Sequence, residues 1–244
     1  MEVQAGNVDE ARRLYNESLT INETIGNAQG KAATLHELAN MEVQAGNVDE
    51  ARRLYSESLT INETIGNAQG KAATLANLGH LDFAAGDQAE ADGHNLEAAT
   101  ILLRIGAVPD ALTVIGNLGV AVGGTPRPEY LAQAVLLGLS SGMPLRFWLT
   151  QAGALRAAVD NGKAVTMLKG MVAQVVDGGA TEEDAQGLSL LVGREVERQG
   201  VEPEVGQGWI TEAQEDPQRS SDEAVALLIG LVPDGNWVIP RPQP

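Results

Sequence analysis

From Asn47 to Ile65 the apolar and small residues fall at Ala51, Leu54, Tyr55, Ser58, Ile61 and Ile65. Steps of three and four place them along one side of an α-helix. Asn47 stands where an N-cap is needed, with Glu50 three residues on to complete a capping box, and Asp49 and Glu50 suit the positive end of the helix dipole. Gly66 supplies a left-handed stop. A second helix is predicted from about Gln69 to Ala85, with Ala72, Leu75, Leu78, Gly79 and Asp82/Phe83 at the same spacing, ending at Gly86. The unit is therefore a helical hairpin with tight Gly-Asn or Gly-Asp turns.

The hairpin is repeated. Residues 1–40 and 41–80 differ only at Asn16/Ser56, His36/Ala76, Glu37/Asn77, Ala39/Gly79 and Asn40/His80. A worn third copy starts with LDFAAGDQAEA at Leu81, and GNLGVAV from Gly116 echoes ANLGHLDF from Ala76. A period between about 20 and 50 residues signals stacked units, because one hairpin alone cannot hide both faces of its helices.

These residues resemble the tetratricopeptide repeat in its longer variant of about 40 residues. The resemblance rests on Leu35-x2-Leu38-Ala39 followed by Ala51-x3-Tyr55, and on Leu75-x2-Leu78-Gly79 followed by Ala91, with Gly46-Asn47 and Gly86-Asp87 at the turns. Small residues at Ala39, Gly79, Ala51 and Ala91 let paired helices approach closely. The departures are Leu35 or Leu75 at the usual aromatic, Glu42 or Asp82 at the later tyrosine, Asn95 opposite Tyr55, and no closing proline. The resemblance implies an all-α fold, a right-handed α-solenoid of stacked helical hairpins. It also implies a concave groove lined by the first helices of successive hairpins, which would hold a peptide or helix. Carried onto this sequence, the lining is His36, Glu37, Asn40 and Gln44, then Ala76, Asn77, His80 and Phe83, then Thr113, Asn117 and Val120. Three of the five differences between the copies, at 36/76, 37/77 and 40/80, fall on that face. They also cluster where the duplicated tract ends.

Met1 aligns with Met41, inside the first helix of a hairpin, so the sequence starts with one turn of that helix before a break expected at Asn7 and a helix from about Val8 to Ile25. The strip Ala11, Leu14, Tyr15 and Ile21 is then left uncovered by a partner helix. Upstream sequence, self-association through this strip, or a tolerated frayed end would each account for it.

Repeats are expected over residues 1–123. Residues 124–232 carry helical patterns at Glu129–Leu139, Leu145–Val159, Ala164–Val176, Thr181–Gln199 and Asp222–Leu231, read as degenerate hairpins or as a separate capping domain. Thr181-x-x-Asp184 and Ser220-x-x-Glu223 are capping signals. VEPEVGQGWITEAQEDPQRSS is expected to be a loop with one short helix. Residues 233–244 form a proline-rich tail of polyproline geometry, pinned by Trp237.

Composition narrows the chemistry. A formal charge of -17 repels phosphate backbones and anionic headgroups, so neither nucleic acid nor membrane is an expected partner. No apolar run approaches the ~18 residues of a membrane span, and no basic-then-apolar leader is visible. The absence of cysteine excludes disulfides and thiolate metal sites and fits a cytoplasmic protein. His36, His80 and His94 make no zinc motif, Asn161-Gly162-Lys163 and GVAVGG lack the elements of a phosphate loop, and DQAEADG has Ala99 where a calcium loop closes with glutamate. Ser140-Ser141-Gly142 follows no strand and is no nucleophile elbow. No metal, no cofactor and no enzymatic activity are expected. The function implied is that of a noncatalytic scaffold for a protein or peptide. The alternatives are a self-assembling structural protein, or the sensor or regulatory arm of a larger enzyme or transcription regulator.

Overall fold

A computed structural model describes residues 2–120, 123–177 and 181–242. Ala121 and Val122 of GVAVGG, Gly178-Gly179 of the expected turn and the last two residues of the tail lie outside the described residues. The protein is all-α, and its repeat-bearing part is an α-solenoid of stacked hairpins. Two compact units divide at Gly106/Ala107.

The first unit holds α1 (Glu2–Thr24), α2 (Ala28–Gln44), α3 (Val48–Thr64), α4 (Ala68–Ala85) and α5 (Gln88–Arg104). Glycine sits at positive φ at Gly26, Gly46, Gly66, Gly86 and Gly106, and the first four close their helices with Asn27, Asn47, Asn67 and Asp87 N–H groups donating back to Asn22, Glu42, Asn62 and Asp82 carbonyls at 2.8–2.9 Å. This left-handed closure satisfies the last carbonyls of each helix and reverses the chain. The core cluster joins Leu35, Leu38, Ala39, Ala51, Leu54, Tyr55, Leu78 and Leu81. Ala39, Ala51 and Ala91 are buried, and a Cβ on Gly79 would lie 2.8 Å from Asn95, so the small residues stand where paired helices come closest.

Two sequence expectations fail here. Asn47 makes no cap; its Nδ2 donates to Glu42 Oε2 at 2.7 Å, while Glu50 turns to Arg53. Caps form instead at Asn27, Asn67 and Asp87, which accept from the N–H groups of Gly30, Gly70 and Glu90. The second failure is at Gly6-Asn7, where α1 runs on without a break. At Gly46 the chain reverses and α2 packs on α3, whereas at Gly6 the i→i−4 hydrogen bonds of the helix continue.

A polar cassette recurs at the turns into α2 and α4. Asn27 and Asn67 donate to the side-chain oxygens of Asn22 and Asn62 at 2.9 and 2.8 Å, and Ser58 Oγ donates to the Ala32 carbonyl at 2.8 Å. Gly30 and Gly70 make room for this pair, since a Cβ at either would lie within 2.4 Å of asparagine side-chain atoms. In the third copy the cassette Ser-Asn-Asn-Gly-Thr becomes Ala98, Leu102, Ala107, Asp110 and Val114, with Ala98, Leu102 and Val114 buried.

The second unit contains α6 (Val108–Leu118), α7 (Pro128–Ser140), α8 (Leu149–Ala158), α9 (Asn161–Asp177), α10 (Glu182–Gln199), α11 (Pro203–Glu215) and α12 (Pro217–Gly230). Every residue of α7 from Tyr130 to Gly138 is buried, and α9 packs on α8, α10, α11 and α12. Gly170 permits the α9–α12 approach, because a Cβ there would sit 2.3 Å from that of Ala224. The Thr181–Asp184 capping box forms as expected. The stretch expected to be mostly loop is helix instead: Pro203 and Pro217 open α11 and α12, and Gly206 lets α11 lie against Val196 of α10. Asp216, not Ser220, caps α12, and Ser220 is buried within it. The tail makes a single 3-10 turn at Asp234–Asn236 and is fastened by Gln133 rather than by Trp237 alone. Buried Gln133 donates to the Asn236 carbonyl at 2.8 Å and accepts from Val238 N–H at 2.6 Å, and Ile239 is buried beside them.

Candidate functional site

α2 and α4, the first helices of successive hairpins, are neighbours in the first unit, and the expected groove residues of that unit sit on them. Three are tied to each other. His36 Nδ1 lies 3.2 Å from Thr74 Oγ1, His36 Nε2 lies 3.1 Å from Asn77 Nδ2, and Asn77 Nδ2 also donates to Asn40 Oδ1 at 3.2 Å. The Tyr55 hydroxyl donates to the same Asn40 oxygen, and the Tyr55 ring meets the His36 ring edge-on at 5.3 Å.

The wiring fixes the imidazole. Thr74 spends its own proton on the Gly70 carbonyl at 2.8 Å, so it accepts from His36 Nδ1–H, and Nε2 accepts from Asn77. A proton on Nε2 would face the amide N–H. Burial lowers the His36 pKa below its ordinary 6.5, the Glu37 charge offsetting part of this, and burial pushes the Tyr55 phenol up to about 12. The unfolded chain therefore takes up the proton first. Stability from this network is complete above pH 6.5 and is lost as pH falls through the lower folded value. Urea midpoints of the intact chain are expected to fall between pH 7.5 and 5, and to fall less in His36→Ala, which places the second copy's residue at this position. Equal slopes would assign the titration elsewhere.

On either side of the bridge the surface is hollow. One depression of about 280 Å³ is lined by Glu37, Asn40, Val43, Gln44, Tyr55, Asn77, His80 and Leu81. Another of about 290 Å³ lies along Ala32, Ala33, His36, Glu37, Ser58, Asn62, Ala73 and Thr74. Glu37, Gln44 and His80 are exposed, whereas Ala76 and Phe83 are half-buried. Thr113 and Asn117 are exposed on α6, and Val120 follows it at 38% exposure; all three belong to the second unit. Sequence reasoning missed Tyr55, Thr74, Val43 and Leu81. Thr74 stands one turn before Asn77, a spacing that could have joined it to the site.

Buried charge in this unit is structural in geometry. Asp82 is fully buried, ion-paired with Arg52 and 2.6 Å from His94 Nδ1; its counterpart Glu42 meets Arg12 at 2.9 Å. The three histidines do not converge, and no cluster of metal-binding side chains occurs among the described residues. No described helix is long and apolar enough to cross a membrane. The strip on α1 divides: Leu14 and Ile21 are 51% and 58% exposed, while Ala11 and Tyr15 are half-buried, Tyr15 packing against the core cluster.

A crystal structure, BtubC (BKLC) from P. vanneervenii, resembles the chain at 15% identity and a TM-score of 0.46, covering 99% of this chain and 79% of that one. No curated protein matches the sequence. The tetratricopeptide repeat model matches residues 1–64 and 30–104. Residues 1–104, less than half of the chain, are thus similar to the tetratricopeptide repeat family, and they fold as a helical repeat.

Proposed function

We propose that the protein is a noncatalytic scaffold that holds a peptide or helix along the α2/α4 face of its first unit. The observation that carries this reading is the pair of hollows flanking the His36–Asn77–Asn40 bridge. Alternate side chains of a bound segment would enter the two hollows, apolar atoms meeting Val43 and Leu81 and polar groups meeting Gln44, His80 and the asparagine amides. No Lys or Arg lines either hollow, so a terminal carboxylate is not the feature gripped. The charge of -17 favours a partner with basic flanks. The bridge makes the face rigid before binding, which lowers the ordering cost of association.

Peptides selected from a random library on the immobilised chain would test this. They are expected to bind His80→Ala with Gln44→Ala at least about tenfold more weakly, a loss of about 1.4 kcal/mol. The melting temperature of that double variant should stay unchanged, because both side chains are exposed. Asn77→Ala is expected to weaken binding and also to destabilise the unit by about 1 kcal/mol, since it removes the bridge. Selected peptides indifferent to all three substitutions would place binding on another face.

A further inference from the structure

The cations of the first unit's helical hairpins are committed to its own carboxylates. Arg12 meets Glu42, Arg13 meets Glu10 and Glu17, and Arg53 meets Glu50 and Glu57. Lys31 bridges Glu23 and Glu57, Lys71 bridges Glu63 and Glu97, and Arg52 is held by buried Asp82. Glu37 of α2 is in none of these pairs. Its Oε2 accepts from Asn40 Nδ2 at 3.2 Å, a neutral donor.

An exposed carboxylate without a cation is ordinary on a chain of charge -17, but the place of this one is not. Glu37 lines both hollows of the α2/α4 face, and among the described residues no other permanent charge lines either. The Asn40 amide that steadies it is itself fixed, since Asn40 Oδ1 accepts from Tyr55 and from Asn77. Asn40 occupies one lone pair of the carboxylate, which leaves capacity for a planar, two-pronged donor. The charge also acts inward. Burial lowers the His36 pKa and Glu37 partly restores it; burial raises the Tyr55 phenol and Glu37 adds to the rise. At the matching position of the second copy stands Asn77, uncharged and engaged with His36. The face therefore offers one negative charge, between two hollows, with no counter-charge of its own.

We propose that the segment held on this face presents an arginine to Glu37, between the side chains that enter the two hollows. The inference rests on the reading of α2/α4 as the binding face and supplies the chemistry of its ligand. The guanidinium would lay two parallel N–H groups on the carboxylate, and the bound segment would shield the pair from the water that weakens exposed ones. Register follows, because the hollows locate the segment and Glu37 fixes which residue stands between them. Charge then selects sequence, beyond drawing basic partners from a distance.

A random peptide library selected on the immobilised full chain is expected to converge on sequences with arginine at one fixed position. Replacing that arginine by citrulline, its neutral isostere, should weaken binding about fivefold or more on the natural chain and less than about twofold on Glu37→Gln. Glu37→Lys should favour peptides with glutamate there instead. Because Glu37 is exposed, both variants should keep the helical spectrum and melting temperature, which separates lost recognition from lost folding. Peptides that need Gln44 and His80 but carry no fixed arginine would overturn the proposal and leave the binding face standing. So would an equal loss to citrulline on the natural chain and on Glu37→Gln. Peptides indifferent to Gln44 and His80 would overturn both.

Discussion

Leu54→Ala is expected to destabilise the first unit by about 2–5 kcal/mol, whereas Leu14→Ala should cost no more than about 0.5 kcal/mol. The comparison is controlled by the sequence itself. Each leucine sits in the tract Ala-Arg-Arg-Leu-Tyr within a helix, with the same neighbours one turn before and after. Helix propensity is therefore equal for the pair, and the difference reports tertiary cover, including the side-chain freedom that burial removes. Leu54 lies among Leu35, Leu38, Leu78 and Leu81, where a truncation leaves a cavity, while Leu14 faces water across about half its surface. Repeat arrays do not always unfold in one step. Urea transitions followed by circular dichroism should therefore be compared at the midpoint of the first-unit phase. Equal losses at the two leucines would mean that α1 and α3 are equally covered, and the stack described here would fall.

The same pair shows what a sequence displays and what it hides. Period, hairpin, glycine stops and buried stripe were all legible, because each follows from local spacing repeated often enough to be unmistakable. Leu54, Leu75 and Leu78 are buried where the periodicity put them. Ile65, on the same stripe, is 39% exposed, since a helix end reaches past the helix that covers it. The cap expected at Asn47 does not form: its amide donates to the buried Glu42 carboxylate, a contact that local spacing does not advertise, and its oxygen takes no helix N–H. Continuity of α1 through Gly6 and the helix at Pro203–Glu215 depend on which surfaces meet, not on the residues' own preferences.

In the candidate site, α2 and α4 could be read as one face from the resemblance. That His36, Asn40 and Asn77 join hands, and so became partly structural, could not. Their pairing crosses between helices, from α2 to Thr74 and Asn77 of α4. The two copies differ in a complementary way: the first carries the ring and the second carries the amide that holds it. The concerted change of Ser-Asn-Asn-Gly-Thr to Ala98, Leu102, Ala107, Asp110 and Val114 follows similar logic. A buried polar cassette loses value unless all members are present, so it is replaced as a set.

Glu195→Leu should be the most damaging single change in the second unit, costing about 3–5 kcal/mol. Glu195 is fully buried on α10 and accepts from Arg156 Nη1 at 2.8 Å, Arg198 Nε at 2.8 Å, Arg198 Nη2 at 2.6 Å and Gln199 Nε2 at 2.7 Å. Burial alone would raise its pKa; the donors from Arg198, Gln199 and Arg156 outweigh that and hold the carboxyl below its ordinary 4.5. Folding therefore binds the ionised form. Its contribution is present above pH 4.5 and is lost as pH falls through the lower folded value. Removing the carboxylate strands Arg156, which is 11% exposed and reaches from α8 across to α10. Arg156→Met should cost less, because Glu195 keeps Arg198 and Gln199. Combining Glu195→Leu with Arg156→Met should recover part of the loss, since no buried guanidinium is then left without its counter-charge. Chemical denaturation of the three variants at pH 7 tests the order. If Glu195→Leu and Arg156→Met cost the same and add in the double variant, the two side chains do not act on each other, and the ion pair is incidental to holding α8 against α10.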